Sequence, residues 1–275
     1  GMSAAAAIEA GAAARELVSL LDQNGRQIAP FSSRDSAFGL ADAYRITPVV
    51  RGLREARGEK VLGRKIGFTN RTIWEQYGVY APIWGYMYDS TVQNLDDVSG
   101  SVSLAAFAEP RIEPEIVFGM SAAPEPGMDE RELLSCIGWV AHGYEIVQSV
   151  FPQWKFAPSD TVAAFGLHGA LFIGERHQIG DDADKWFDPL SNFAITLRCG
   201  EIAEPGHARD VLDGPLSALK HLVALLAQDQ HNPQVAAGEI ITTGTLTKAM
   251  PVKPGERWTT ELDGIPIGGL DIRFG

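Results

Sequence analysis

The apolar residues of this chain change their period near residue 60, and that change limits the fold more than any other feature. Before it the spacing is helical: Ala37, Leu40, Ala41 and Tyr44 fall at i, i+3, i+4 and i+7, with Asp35 or Ser36 as N-cap and Pro48 as a kink or break. The Ala-rich start, Gly1 to Leu21, carries Glu9, Arg15 and Glu16 at helical spacing and reads as an amphipathic helix. After the change come short runs rich in Val, Ile, Phe and Trp at 61–68, 111–118, 137–147, 170–173, 193–197, 239–243, 258–262 and 267–274. Asp263-Gly264 between the last two predicts a type I′ hairpin. One long helix interrupts the strands, its apolar stripe made by Leu216, Leu219, Val223 and Leu226 after Asp213-Gly214-Pro215. Strict β-α-β alternation is absent. The expected class is therefore α+β: a helical region over 1–60 on a β-rich body over 61–275, one structural unit with a mostly antiparallel or mixed sheet.

Composition excludes several function classes. Lys+Arg 23 against Asp+Glu 35 gives a net charge of -12, which repels phosphate backbones and anionic headgroups, so neither nucleic acid nor a membrane surface is an expected partner. No stretch reaches the ~18 to 20 apolar residues of a bilayer span, and the start lacks the basic and apolar segments of a secretory signal. Cys136 and Cys199 stand far apart outside any C-x-x-C pattern, which fits a reducing compartment and makes the cytoplasm the expected location. There is no G-x-S-x-G, no H-E-x-x-H and no zinc-type Cys/His spacing.

The segment Glu109-Pro-Arg-Ile-Glu-Pro-Glu-Ile-Val-Phe118 carries the chemistry. Side chains alternate in a strand, so Glu113 and Glu115 share one face while Ile112, Ile116 and Phe118 share the other. Two such carboxylates repel unless a proton, water or cation separates them. Pro114 predicts an edge or bulged strand, and spacing alone favours a solvated outer face. Glu145 lies in an apolar strand, Trp139-Val-Ala-His-Gly-Tyr-Glu-Ile-Val147, where a charge needs a partner; Arg111 and Lys65 are the candidates. With Glu113 and Glu115 it makes an all-oxygen set suited to Mg²⁺ or Mn²⁺. Lys65 in Gly63-Arg-Lys-Ile-Gly-Phe-Thr-Asn70 sits among glycines but outside any phosphate-loop pattern. Thr243-Gly-Thr245 offers hydroxyls and amides to a carboxylate, and His168 is a candidate site histidine or a structural one.

Taken in order, Gly63 to Thr69, Pro82-x-Trp-Gly85, Glu109 to Glu115, Tyr144 to Val147 with Trp154-Lys155, Asp160-Thr-Val162, Thr243-Gly-Thr245 and Pro254-Gly-Glu256 resemble the 2-keto-4-pentenoate hydratases of the fumarylacetoacetase superfamily. The resemblance runs from about Gly25 to the C-terminus. It implies a mixed β-roll of the fumarylacetoacetase C-terminal type preceded by helices, in a homo-oligomer. It implies Glu113, Glu115 and Glu145 as Mg²⁺ or Mn²⁺ ligands and Lys65 as the group holding the carboxylate or oxyanion of a small 2-oxo acid, with Arg111, Thr243 and Thr245 as further substrate contacts. The implied activity is hydration of a 2-hydroxy-dienoic acid in the catabolism of aromatic or related compounds. Decarboxylation of a 2-oxo acid, C–C bond hydrolysis or simple 2-oxo acid binding are the alternatives. Relatives often carry Asp where this chain has Ile83, so the proton shuttle must lie elsewhere, with Asp89 and His168 the candidates.

Overall fold

In the computed structural model, which describes residues 7–275, three helices come first: α1 (Ala10–Ser19), α2 (Phe31–Arg34) and α3 (Leu40–Ala56). The part of the opening helix expected over residues 1–6 lies outside the described residues. Strand β1 (Val61–Gly67) is followed by α4 (Trp74–Tyr77), β2 (Ile83–Tyr88), β3 (Val92–Asn94), β4 (Arg111–Met120), α5 (Glu130–Ser135) and β5 (Ile137–Val147). Then come α6 (Pro158–Ala163), β6 (His168–Ile173), β7 (His177–Gln178), α7 (Ala183–Leu190), β8 (Ala194–Cys199) and β9 (Ile202–His207). The chain ends with α8 (Pro215–Ala227), β10 (Ile240–Thr242), β11 (Met250–Pro251), β12 (Arg257–Asp263) and β13 (Asp271–Arg273).

The larger sheet runs β2-β1-β10-β4-β5-β6-β3, with β11 beside β4 and β7 beside β5. It is mixed, since β1 pairs β10 and β3 pairs β6 in parallel while the other pairs are antiparallel. This is the α+β arrangement that the change of period implies. The sheet also curls: Met87 of β2 and Leu171 and Ile173 of β6, from strands far apart in sheet order, share one buried cluster with Val117 and Ala141. The concave face therefore carries the odd-numbered residues of β4, among them Glu113 and Glu115. On the convex face, Ile116 and Phe118 pack against α5, α7 and α8, while Ile112, Tyr144 and Ile146 pack against the smaller sheet, β13-β12-β8-β9. The N-terminal helices join a further core with Phe151, Val162, Phe165 and Leu167.

Three local expectations give way to long-range packing. Pro114 does not mark an edge, because β4 lies inside the sheet. Its carbonyl accepts from Leu246 N on the side away from β5, so its missing N–H faces the gap where the chain leaves the sheet between β10 and β11 and no ladder bond is lost. Pro48 does not end α3, which starts at Leu40 after Gly39 rather than at Asp35 or Ser36. The Tyr44 carbonyl, which a residue with an N–H at 48 would bond, accepts instead from Asn232 Nδ2 at 3.4 Å. Asp263-Gly264 does not make a two-residue hairpin: β12 pairs with β8 through Asp263 and with β13 only over Arg257, Trp258 and Thr259.

The parallel β1–β10 pairing needs glycine at 63, where an added Cβ would lie 1.7 Å from the Ile240 carbonyl oxygen. Gly63→Ala is expected to lower unfolding free energy by about 1–3 kcal/mol or more through this overlap. An unchanged urea midpoint would show that β1 slides past β10 without cost.

Candidate metal centre and cavity

The register of β4 on β5 sets Glu113 directly opposite Glu145, with Glu115 two residues further on the same face. One carboxylate oxygen from each of the three lies within 4.8 Å of the others. Glu115 and Glu145 are both 0% exposed, and Glu113 is half-buried. Glu115 Oε1 accepts from Gly244 N at 2.6 Å and from Thr242 Oγ1 at 3.0 Å. Glu145 Oε2 accepts from His168 Nδ1 at 2.7 Å and from Lys65 Nζ at 3.2 Å. Each of these two carboxylates is left with one buried oxygen, Glu115 Oε2 and Glu145 Oε1, that has no protein partner. Buried polar atoms are rarely left so, and two of them beside a third carboxylate form the oxygen donor set that a hard divalent cation takes.

The charges respond to this crowding. Burial, with the charge of Glu145 next, pushes Glu113 up to about 7 and raises Glu115 well above the carboxylate range. Burial also opposes ionisation of Glu145, yet the Lys65 ammonium and the His168 hydrogen bond outweigh it and hold Glu145 below its ordinary value. Burial likewise opposes the charge on Lys65, but the carboxylates of Glu145, Glu113 and Glu115 prevail and raise its pKa. Lys65 is thus a fixed ammonium. Its hydrogen bond runs to the Gly166 carbonyl at 2.7 Å, and its side chain lines a cavity.

That cavity holds about 220 Å³ and is lined by Lys65, Glu113 and Thr245 together with Phe68, Ile83 and Trp154 among others. Of the residues singled out in the sequence, the fold brings together Lys65, Glu113, Glu115, Glu145 and His168. His168 lies behind Glu145 and does not line this cavity; its Nε2 is 2.9 Å from Thr91 Oγ1 and its ring faces a second, more polar cavity. It is placed to orient Glu145 rather than to touch a ligand. Burial lowers its pKa, against the pull of Glu145. Arg111 stands on the same face of β4, its guanidinium 4.0 Å over the Trp154 ring, without lining the cavity. Thr243 is turned inward and its hydroxyl donates to the Ile116 carbonyl. Asp89 is not brought to the cluster: it is exposed at the turn after β2, where it accepts from Lys60 N.

The amide expected from Thr243-Gly-Thr245 is that of Gly244, given to Glu115, whereas Thr242 and Gly166 went unread in the sequence. Alternation along β10 identifies Thr242, because Ile241 packs on the convex side and its neighbour must face Glu115. The Gly166 carbonyl has no such signal. It sits in a left-handed run, Phe165, Gly166 and Leu167 at φ 61, 62 and 62, and Phe68 and Trp154 beside the cavity share that conformation at φ 56 and 57. Such backbone is costly for residues with a Cβ and gathers at functional sites.

No family model matches the sequence. The 2-hydroxyhexa-2,4-dienoate hydratase of Comamonas testosteroni is 30% identical over 254 residues, covering 92% of both chains. The 4-oxalocrotonate decarboxylase of Pseudomonas putida is 31% identical over 237 residues, covering 85% of both. Among solved structures, 4-oxalocrotonate decarboxylase from Pseudomonas putida G7, complexed with magnesium and adipate, superposes with a TM-score of 0.86 at 27% identity over 97% of each chain. The chain belongs to the 2-keto-4-pentenoate hydratase family.

Proposed function

We propose that this protein is a divalent-metal-dependent hydro-lyase that adds water to a 2-hydroxy-dienoic (2-oxo-4-enoic) acid in the catabolism of aromatic or related compounds. The observation that carries this reading is the pair of partnerless buried oxygens on Glu115 and Glu145, set beside Glu113 and the Lys65 ammonium at one end of a cavity. Glu113, Glu115 and Glu145 would hold Mg²⁺ or Mn²⁺. When bound, such an ion polarises a chelated 2-oxo carboxylate as a Lewis acid. Lys65, which lines the same cavity, would bind the carboxylate or the C2 oxygen and stabilise charge that develops there. The pairing with Glu145 favours the charged form of Lys65, which suits it to act as a donor and not as a base. Apolar walls keep bulk water from the dienol tail. We further propose a homo-oligomer in the cytoplasm, a location supported by the two free cysteines.

A second reading, decarboxylation of a 2-oxo acid, is favoured by the likeness to the decarboxylases and by Ile83, an apolar residue in the cavity wall that can shuttle no proton. The two differ in product. Hydration should remove the conjugated dienol absorbance in the presence of Mg²⁺, fail with EDTA, and release no CO₂. Absorbance that persists across a panel of 2-hydroxydienoates overturns hydration, and CO₂ release establishes the second reading.

Metal binding should depend on pH in a set direction. Glu113 and Glu115 titrate above their unfolded value of 4.5, so their contribution to stability is fully present below 4.5 and is lost as pH rises through their raised values, which for Glu113 is about 7. The metal-free protein should therefore lose melting temperature between those limits. Added Mg²⁺, which takes the deprotonated ligands, should raise it far more above that window than below it. An equal Mg²⁺ effect at both ends would remove these carboxylates from the metal site.

Lys65→Met is expected to lower kcat/KM by about 100-fold or more, the scale of losing one donor to developing charge, while Mg²⁺ binding measured by calorimetry persists because no ligand is removed. Unchanged kinetics would take Lys65 out of the reaction.

A further inference from the structure

An ionised carboxylate carries two lone pairs on each oxygen, and around the cluster the protein spends them unevenly. Glu115 Oε1 takes two donors, Gly244 N at 2.6 Å and Thr242 Oγ1 at 3.0 Å, while Glu115 Oε2 takes none. Glu145 repeats the pattern: Oε2 takes His168 Nδ1 at 2.7 Å and Lys65 Nζ at 3.2 Å, while Oε1 takes none. In each carboxylate one oxygen is closed and the other is open. The donors that close them are held in place themselves. Thr242 is 0% exposed on β10, which pairs with β1 on one side and with β4 on the other. The His168 ring is held at both nitrogens, by Glu145 and by Thr91 Oγ1 at 2.9 Å.

Turning a closed oxygen toward an ion would strand its donors, and a buried donor without a partner is costly. The Gly244 amide is main chain and cannot follow. Glu115 and Glu145 are therefore each set to give an ion one oxygen and not two. That restriction does not treat all dications alike. Ca²⁺ takes about six to eight oxygens and readily uses both oxygens of a carboxylate, whereas Mg²⁺ demands near-octahedral geometry and is served by single oxygens, with positions left for water and substrate. Resting on the reading of the cluster as a metal site, we propose that Thr242 and His168 are positioning residues that set its ion preference. By holding Glu115 and Glu145 to one oxygen each, they favour a small octahedral dication such as Mg²⁺ over Ca²⁺. Each acts through the carboxylate it holds.

The test reads the metals alone, without substrate, so that it does not depend on which reaction the enzyme performs. Affinities for Mg²⁺ and Ca²⁺ are measured by calorimetry on the unaltered protein and on Thr242→Val, Thr242→Ser and His168→Phe, each checked for folding by circular dichroism. The unaltered protein should bind Mg²⁺ more tightly than Ca²⁺. Thr242→Val keeps the shape and frees a lone pair on Glu115 Oε1, so the ratio of the two affinities should shift toward Ca²⁺ by about tenfold, the lower end of the range for losing an outer donor to a metal ligand. Thr242→Ser, which keeps the hydroxyl, should keep the ratio, and His168→Phe should shift it toward Ca²⁺ through Glu145. Binding of Ca²⁺ to the unaltered protein as tight as that of Mg²⁺, or tighter, overturns the proposal. So does a folded Thr242→Val that weakens both ions alike or leaves the ratio unchanged, and so does a Thr242→Ser that shifts the ratio as far as Thr242→Val. Should Thr242→Val not fold, an unchanged ratio in His168→Phe decides against the proposal in the same way. If neither ion binds, the reading of the cluster as a metal site falls and the ion preference falls with it. If the preference holds while no dienol is hydrated, only hydration is lost.

Discussion

Three carboxylates crowded on one patch of a curled sheet repel one another, and the elements around them divide the work of holding them there. β4 and β5 fix the spacing through their register. β10 sends a hydroxyl and the turn after it an amide to Glu115, while β1 brings an ammonium and β6 an imidazole to Glu145. The outcome is uneven: Glu145 is compensated and charged, whereas Glu113 and Glu115 are under-compensated and raised. A site whose charge is balanced in the absence of a cation has no use for one. This site is balanced on one carboxylate of three.

The sequence made some of this legible. Alternation along 111–118 places Glu113 and Glu115 on one face, and that is a local property which the strand preserves. Convergence with Glu145 depends on how two distant strands align, and only the ordered motifs pointed to it. The same holds for Lys65, whose partner could have been read as Glu145 or as solvent until β1 was placed. Thr242 was within reach of the alternation rule. The Gly166 carbonyl was not, since main-chain acceptors leave no trace in residue identity.

The expectations that failed share a cause. Each applied a local rule where distant chain had supplied what the rule assumes is missing. Pro114 was read as an edge because proline cannot donate, yet the bond it lacks falls in a gap between β10 and β11. Pro48 was read as a break because it frees a carbonyl, yet that carbonyl is claimed by Asn232, 188 residues along the chain. Turn preference at Asp263-Gly264 lost to the pairing of β12 with β8. Asp89 was a candidate by residue type, and the turn after β2 took it to the surface.

The helices at the start of the chain have a role that their distance from the carboxylates conceals. Ala13, Leu17 and Val50 share a core with Ile83, Val147 and Leu167, which line the cavity from its other side. Arg54 of α3 lies over the rings of both Tyr88 and Phe165, next to the residue whose carbonyl anchors the Lys65 ammonium. These helices act as the back wall of a mould. Trimming them to obtain a smaller protein would slacken the pocket from behind, and the damage would surface first as loose recognition, well before the sheet itself came apart.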